Sequence, residues 1–151
     1  MIEKNIRVEI KDREWLEYKF ALDPLGRFVQ NVEFKAQGCI DLLHAVEKAA
    51  REFKGKALET LEWSDVHTHW GQMICEALSR LKGTYELPYK DPEICHCRNI
   101  PTSVVEQAIV LGAQTPEKVR AWTNASSSCG TCRSDVEALI KFRVAHKACK
   151  M

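Results

Sequence analysis

The sequence lacks the features that mark nucleic-acid-binding, membrane-spanning and hydrolytic proteins. Its 22 basic and 21 acidic residues leave a net charge of +1, without the basic excess that binds nucleic acid. No apolar run approaches the roughly 20 residues of a membrane helix. A glycine-rich phosphate loop and a His–Glu pair at helical spacing are also missing. We therefore expect no nucleic-acid partner, no membrane partner, and an accessory protein rather than an enzyme.

The N-terminal ten residues alternate charged and apolar side chains and contain no signal-peptide core. This predicts a cytoplasmic protein. The chain has seven cysteines, an odd number, and the cytosol keeps thiols reduced. We therefore expect metal ligands or free thiols rather than disulfides.

The hydrophobic pattern predicts an α+β protein with two domains. Apolar residues alternate with polar ones in three segments, which is typical of half-buried strands. The apolar spacing then changes to three and four residues, which predicts one helix ending before Gly55 and another from about Val66 to Lys82. We expect an N-terminal domain over residues 1–84, in which helices cover a small antiparallel sheet. A linker over residues 85–92 contains Pro88 and Pro92.

The C-terminal domain, residues 93–151, is predicted to be helical. Thr102 and Ser103 with Glu106 favour a capping box that opens a first helix. The pair Thr115-Pro116 places proline at the first turn of a second helix. A third helix is expected directly after Cys132.

Four cysteines in two close pairs are the strongest chemical signal in this domain. Cys95 and Cys97 form one pair, Cys129 and Cys132 form the other, and residues 98–128 separate them. Each pair can present two thiolates from a tight turn, and four thiolates suit zinc, copper(I) or an iron-sulfur cluster rather than hard ions. Structural zinc more often uses two Cys-x-x-Cys pairs at shorter separation, so the spacing favours a cluster.

The local charge agrees with an anionic centre. Residues 91–151 hold eight basic and six acidic side chains, and Arg98 and Arg133 directly follow ligand cysteines. The helix after Cys132 would point its N–H groups and positive dipole end toward the site. His96 lies between two of the cysteines and either binds metal or is a loop residue beside four thiolates.

The stretches ICHCRNI, residues 94–100, and SCGTC, residues 128–132, resemble the [2Fe-2S] domain of bacterioferritin-associated ferredoxins, which is also the central domain of NifU-type proteins. The resemblance covers residues 93–142. It implies a small helical fold with a one-electron [2Fe-2S] cluster on Cys95, Cys97, Cys129 and Cys132.

Residues 15–81 resemble the IscU-type scaffold domain at the front of NifU. The resemblance is carried by the words Phe34-Lys35-Ala36, Gly38-Cys39 and Lys54-Gly55-Lys56. That family builds a transient cluster on three cysteines, and here only Cys39 stands at an expected position. The first position falls on Asp12 and the third near residues 70–71, so this domain is interpreted as a scaffold that has lost most of its site.

Other side chains could rebuild a metal site in this half of the chain. Cys39 and Asp12, together with His67 and His69, offer ligands that metals accept. The alternative is that the two histidines belong to a solvated loop or helix start. Cys75 has apolar neighbours at helical spacing and is predicted to be a core residue, whereas Cys149 is predicted to be an exposed thiol.

Three functions remain open from sequence. The first is a cytoplasmic [2Fe-2S] protein of NifU-like ancestry that transfers one electron in iron-sulfur cluster biogenesis or iron metabolism. Its partner would be a redox protein or an iron-sulfur biogenesis protein, and a homodimer is left open. The second is a protein that assembles or carries clusters through Cys39, and the third is an interaction module stabilised by zinc.

Overall fold

The computed structural model describes residues 1–126, 130 and 132–144. These divide into two compact units. The first contains Met1–Asp65 and Trp70–Tyr85, and the second contains Val66–His69 and the described residues from Glu86 onward. The predicted α+β class is confirmed. Each helix in the described part of the chain is too short or too polar to cross a lipid bilayer.

A three-stranded antiparallel sheet opens the first unit. Its strands are β1 (Ile2–Ile10), β2 (Glu14–Leu22) and β3 (Val29–Gln37), and β2 lies between the other two. Alternate residues of β2 are buried, as a sheet covered on one face requires. These buried residues are Leu16, Tyr18, Phe20 and Leu22.

Two helices follow the sheet, α1 (Ile40–Phe53) and α2 (His69–Lys82), with a short 3-10 helix, Leu58–Thr60, between them in the chain. The aromatic residues of β2 tie α1 to the sheet. The Tyr18 ring lies 6.2 Å from the Phe53 ring between centroids, and the Tyr18 hydroxyl donates to the Val46 carbonyl at 3.0 Å. Burial of the phenol raises the pKa of Tyr18.

Helix α2 begins later than the sequence predicts. The segment Val66–His69 groups with the second unit, where the His67 carbonyl accepts from Gln114 Nε2 at 3.3 Å. Cys75 on α2 is buried, as predicted. It is also disulfide-bonded, so the expectation of reduced thiols is wrong for this cysteine.

The second unit combines a two-stranded hairpin with three helices. The hairpin consists of β4 (Glu93–Cys95) and β5 (Ile100–Pro101), and the helices are α3 (Thr102–Val110), α4 (Pro116–Thr123) and α5 (Arg133–Val144). Their apolar faces form one core, which also encloses two cysteines. The core residues are Ile94, Cys95, Val105, Ala108, Ile109, Ala113, Val119, Ala125, Cys132, Val136, Leu139 and Ile140.

The sequence signals predicted the start of α4 correctly but not the capping of α3. The Thr115 hydroxyl accepts from the Lys118 amide at 3.2 Å and Pro116 occupies the first turn of α4, as predicted. The predicted capping box at α3 is wrong, because Pro101 is the N-cap residue and has no side-chain cap. The Thr102 hydroxyl instead donates to the Asp91 carbonyl at 2.6 Å, which links the start of α3 to the segment before β4.

Candidate metal centre

The β4–β5 hairpin carries the first cysteine pair. Cys95 ends β4 and pairs with Ile100 on β5, while Cys97 lies in the intervening turn. The turn is tight because Asn99 adopts a left-handed backbone with φ of 54°, a conformation that asparagine tolerates better than most residues. It places the two Sγ atoms 3.6 Å apart.

Helix α5 brings Cys132 to the same place. Cys132 directly precedes the helix, and its carbonyl accepts the Val136 amide at 3.0 Å, so the cysteine is part of the first helical turn. Gly130 has a φ of 70°, and its carbonyl accepts the Arg133 amide at 3.2 Å. The Cys132 side chain lies near Cys95 and helps to lower the pKa of the Cys95 thiol. Cys129, the fourth predicted ligand, lies outside the described residues.

The turn after α4 lies against these sulfurs. Asn124 ends α4 in a left-handed conformation, and Ser126 adopts the same conformation two residues later. The Ser126 hydroxyl lies 3.0 Å from Cys132 Sγ, and the Ser126 backbone N–H donates to Cys95. Ser126 therefore contacts one cysteine from each half of the motif.

These contacts shift the protonation of Cys95. Burial raises the pKa of the Cys95 thiol, but this effect is outweighed by hydrogen bonds from the backbone N–H groups of Ser126 and Arg98 and from the Cys97 and Cys132 side chains. The pKa of Cys95 therefore lies below its usual value. A thiolate is the form that binds metal, so the site favours the ligand form of this cysteine.

The three described cysteines of this centre differ in exposure. Cys95 is 0% exposed and Cys132 is 5% exposed, whereas Cys97 is exposed. Side chains of the second unit's core surround the buried pair and keep water from one side of the site. The arrangement is a half-enclosed group of thiols, with two buried and one exposed.

The three basic residues beside the cysteines make different contacts. Arg133 is exposed and donates to Glu117 at 3.1 Å and to Glu137 at 3.0 Å, so two carboxylates balance its charge. These carboxylates raise the pKa of Arg133. Arg98 contributes its backbone N–H to the site. His96 is exposed, and its Nδ1 lies 3.0 Å from Glu93 Oε1, as expected for a loop residue.

The residues of the second predicted site are distributed over both units. Cys39 is half-buried at the N-cap of α1, where its Sγ accepts the Leu42 amide at 3.4 Å. The carboxylate beside it belongs to Glu14, whose Oε1 accepts the Cys39 amide at 3.0 Å. Asp12 lies exposed in the β1–β2 turn with a φ of 59°.

His67 and His69 both belong to the segment that groups with the second unit, in which His67 is exposed and His69 half-buried. A metal site on Cys39, Asp12, His67 and His69 therefore stays a prediction.

Sequence reasoning missed two residues with direct contacts to cysteines, Ser126 and Glu14. Ser126 follows the predicted second helix of the domain and stands in a run of three serines, which gave no sign of its contact with sulfur. Glu14 carries no such signal in the sequence either, because its contact with the Cys39 amide joins two segments that are distant in the chain.

The hairpin, the first turn of α5 and the turn after α4 together bring three of the four predicted ligand cysteines into one group of thiols, as expected of a metal-binding protein. Comparison with known families places the centre within one of them: residues 93–141 match the model of the BFD-like [2Fe-2S] binding domain. The chain thus carries a BFD-like [2Fe-2S] binding domain, with Cys95, Cys97 and Cys132 close together inside it. Comparisons with curated proteins and with solved structures gave no match. The predicted IscU-like character of residues 1–84 therefore stays a prediction.

Proposed function

We propose that the second unit holds a [2Fe-2S] cluster on Cys95, Cys97, Cys129 and Cys132 and transfers single electrons. The observation that carries this proposal is the contact of Cys95 with both Cys97 and Cys132 inside a domain of the [2Fe-2S] family. Soft thiolates are the ligands that iron-sulfur clusters use. When bound, the cluster supplies one-electron chemistry.

The protein residues around the cysteines favour an anionic centre. The Ser126 and Arg98 amides donate to Cys95. Cys132 lies in the first turn of α5, at the positive end of the helix dipole. Each of these groups stabilises negative charge on sulfur. The apolar core excludes water from the buried side and strengthens these interactions.

We infer that the electron is exchanged with a protein partner. The exposed Cys97 lies in a hairpin turn, where a docking protein has access. The partner would be a redox protein or a protein of iron-sulfur biogenesis or iron metabolism. The first unit, with its IscU-like resemblance, would dock a partner in the same process.

The test is anaerobic purification followed by visible absorption and by analysis of iron, sulfide and zinc. We expect two irons and two sulfides per chain, with absorption bands that bleach on addition of dithionite. Cys97→Ala and Cys132→Ala should lose the bands, whereas Cys39→Ala, a matched change in the first unit, should keep them. Full colour in Cys97→Ala or Cys132→Ala would contradict the ligand assignment.

The same metal analysis distinguishes a zinc site from a [2Fe-2S] cluster. Four thiolates that hold zinc would give a colourless protein with about one zinc per chain. In that case the second unit would be an interaction module stabilised by zinc, and the electron-transfer proposal would fail.

A second candidate function is cluster assembly on the first unit. The observation that favours it is the pairing of Cys39 with Glu14, a thiol beside a carboxylate at a helix start. A cysteine desulfurase with iron and reductant should then form an additional labile cluster on the chain. The Cys39→Ala variant should lose this second cluster and retain the first, and an unmodified protein that gains none would leave only the redox role.

A further inference from the structure

One serine directs two donors at two different cysteines of the metal centre. The Ser126 hydroxyl lies 3.0 Å from Cys132 Sγ, and the Ser126 backbone N–H donates to Cys95. With both cysteines as thiolates, which have no proton to donate, the serine is the donor in each contact. The two contacts join the hairpin cysteine to the helix cysteine.

The backbone holds Ser126 in this orientation. Both Asn124 and Ser126 have left-handed conformations, with φ values of 65° and 64°, which few L-residues adopt. Between them, Ala125 is buried, and its amide donates to the Thr123 hydroxyl at 3.2 Å. The serine is therefore fixed by the turn rather than placed by a flexible side chain.

Such a fixed donor affects an electron-transfer centre in a definite direction. A reduced cluster carries one more negative charge than an oxidised cluster, and hydrogen bonds to cluster sulfurs are among the factors that set reduction potential. A hydroxyl that donates to a ligand sulfur stabilises the reduced form more, because the acceptor is then more negative. Removing it makes the cluster harder to reduce.

We propose that Ser126 is a positioning residue that raises the reduction potential of the cluster by donating its hydroxyl hydrogen bond to Cys132. This inference rests on the proposed [2Fe-2S] function. It assigns to the serine hydroxyl the tuning of the reduction potential, which is separate from the binding of the cluster by its four ligands. The backbone N–H at Cys95 would act in the same direction and is independent of the side chain.

The test is the midpoint potential of the holoprotein, measured by anaerobic redox titration of the visible bands. Ser126→Ala removes the hydroxyl and keeps the backbone N–H, whereas Ser126→Gly also removes the side-chain penalty of the left-handed backbone. Both variants should be harder to reduce by about tenfold in the reduction equilibrium, which for one electron is about 59 mV. Ser134→Ala, a change at an exposed serine in the first turn of α5, is the matched control and should keep the original potential.

The outcomes separate this inference from the proposed function. A chain without iron and sulfide would refute the proposed function before any variant is compared. A cluster whose potential is unchanged in both variants would overturn the role of the hydroxyl alone. A lower potential in Ser126→Ala but not in Ser126→Gly would also overturn it, because backbone conformation would then be the cause. Loss of the cluster from both variants would assign Ser126 to cluster retention and would likewise overturn the proposed tuning.

Discussion

Thr123→Val tests whether the turn after α4 holds the metal centre together. The Thr123 hydroxyl donates to the Val119 carbonyl at 2.7 Å and accepts the Ala125 amide at 3.2 Å. Valine has nearly the same shape but cannot accept a hydrogen bond. The substitution leaves the amide of Ala125, a residue that is 1% exposed, without this acceptor.

The expected cost follows from that buried amide. A buried donor that loses its acceptor costs about 1–3 kcal/mol. If the turn opens locally, this cost raises the population of the open form about 5- to 150-fold. Ser126 lies in the same turn, so opening removes its contacts with the cysteines and exposes the centre. The cluster should then be lost faster by a similar factor.

The assay is the decay of visible absorption in excess iron chelator under anaerobic conditions. Thr123→Ser keeps the hydroxyl and should remain close to the original rate. Thr115→Val removes the N-cap at the other end of α4 and costs about 1 kcal/mol of helix stability, so it controls for general weakening of the helix. Equal decay rates for Thr123→Val and the unmodified protein would refute the reasoning.

Three further changes test the first unit. Gly71→Ala should lower the free energy of unfolding by about 1–3 kcal/mol, and Tm with it, because a Cβ there would lie 2.2 Å from the Asp65 carbonyl oxygen; a raised Tm would contradict this close approach. Phe53→Ala should cost about 3–5 kcal/mol in urea unfolding, since Phe53 is 1% exposed, and a loss below about 1 kcal/mol would contradict its core role. Hydrogen bonds from the Phe28 and other backbone amides lower the pKa of Asp23, so stability should fall as pH drops below about 4. Asp23→Asn should flatten that decline, and an unchanged acid profile would contradict the linkage.

The sequence predicted the strands because one face of the sheet is buried and the other is not. Apolar and polar residues alternate along β2 because every second side chain, such as Tyr18 and Phe20, is buried. Helix α1 was predictable for a similar reason, since its buried residues recur at helical spacing up to Phe53. These elements follow from local periodicity, which a single sequence records.

The parts that sequence did not predict depend on contacts between distant segments. Helix α2 starts at His69 instead of near Val66, because the preceding segment packs with the second unit. The Thr102 hydroxyl bonds to Asp91 instead of capping α3. Ser126 reaches the cysteines only because two residues of its turn take left-handed conformations. Spacing alone identified the four cysteines, whereas their hydrogen-bond donors required the folded chain.

The contrast between buried Cys95 and exposed Cys97 also sets the order of chemical damage at the centre. Oxidants and chelators approach from water, and sulfur oxidation follows exposure and thiolate character. Of these two cysteines, Cys97 is therefore the one that they reach first, while Cys95 is shielded by the core. Degradation in air should begin on the hairpin side, and sulfinic or sulfonic acid should appear at Cys97 before it appears at Cys95.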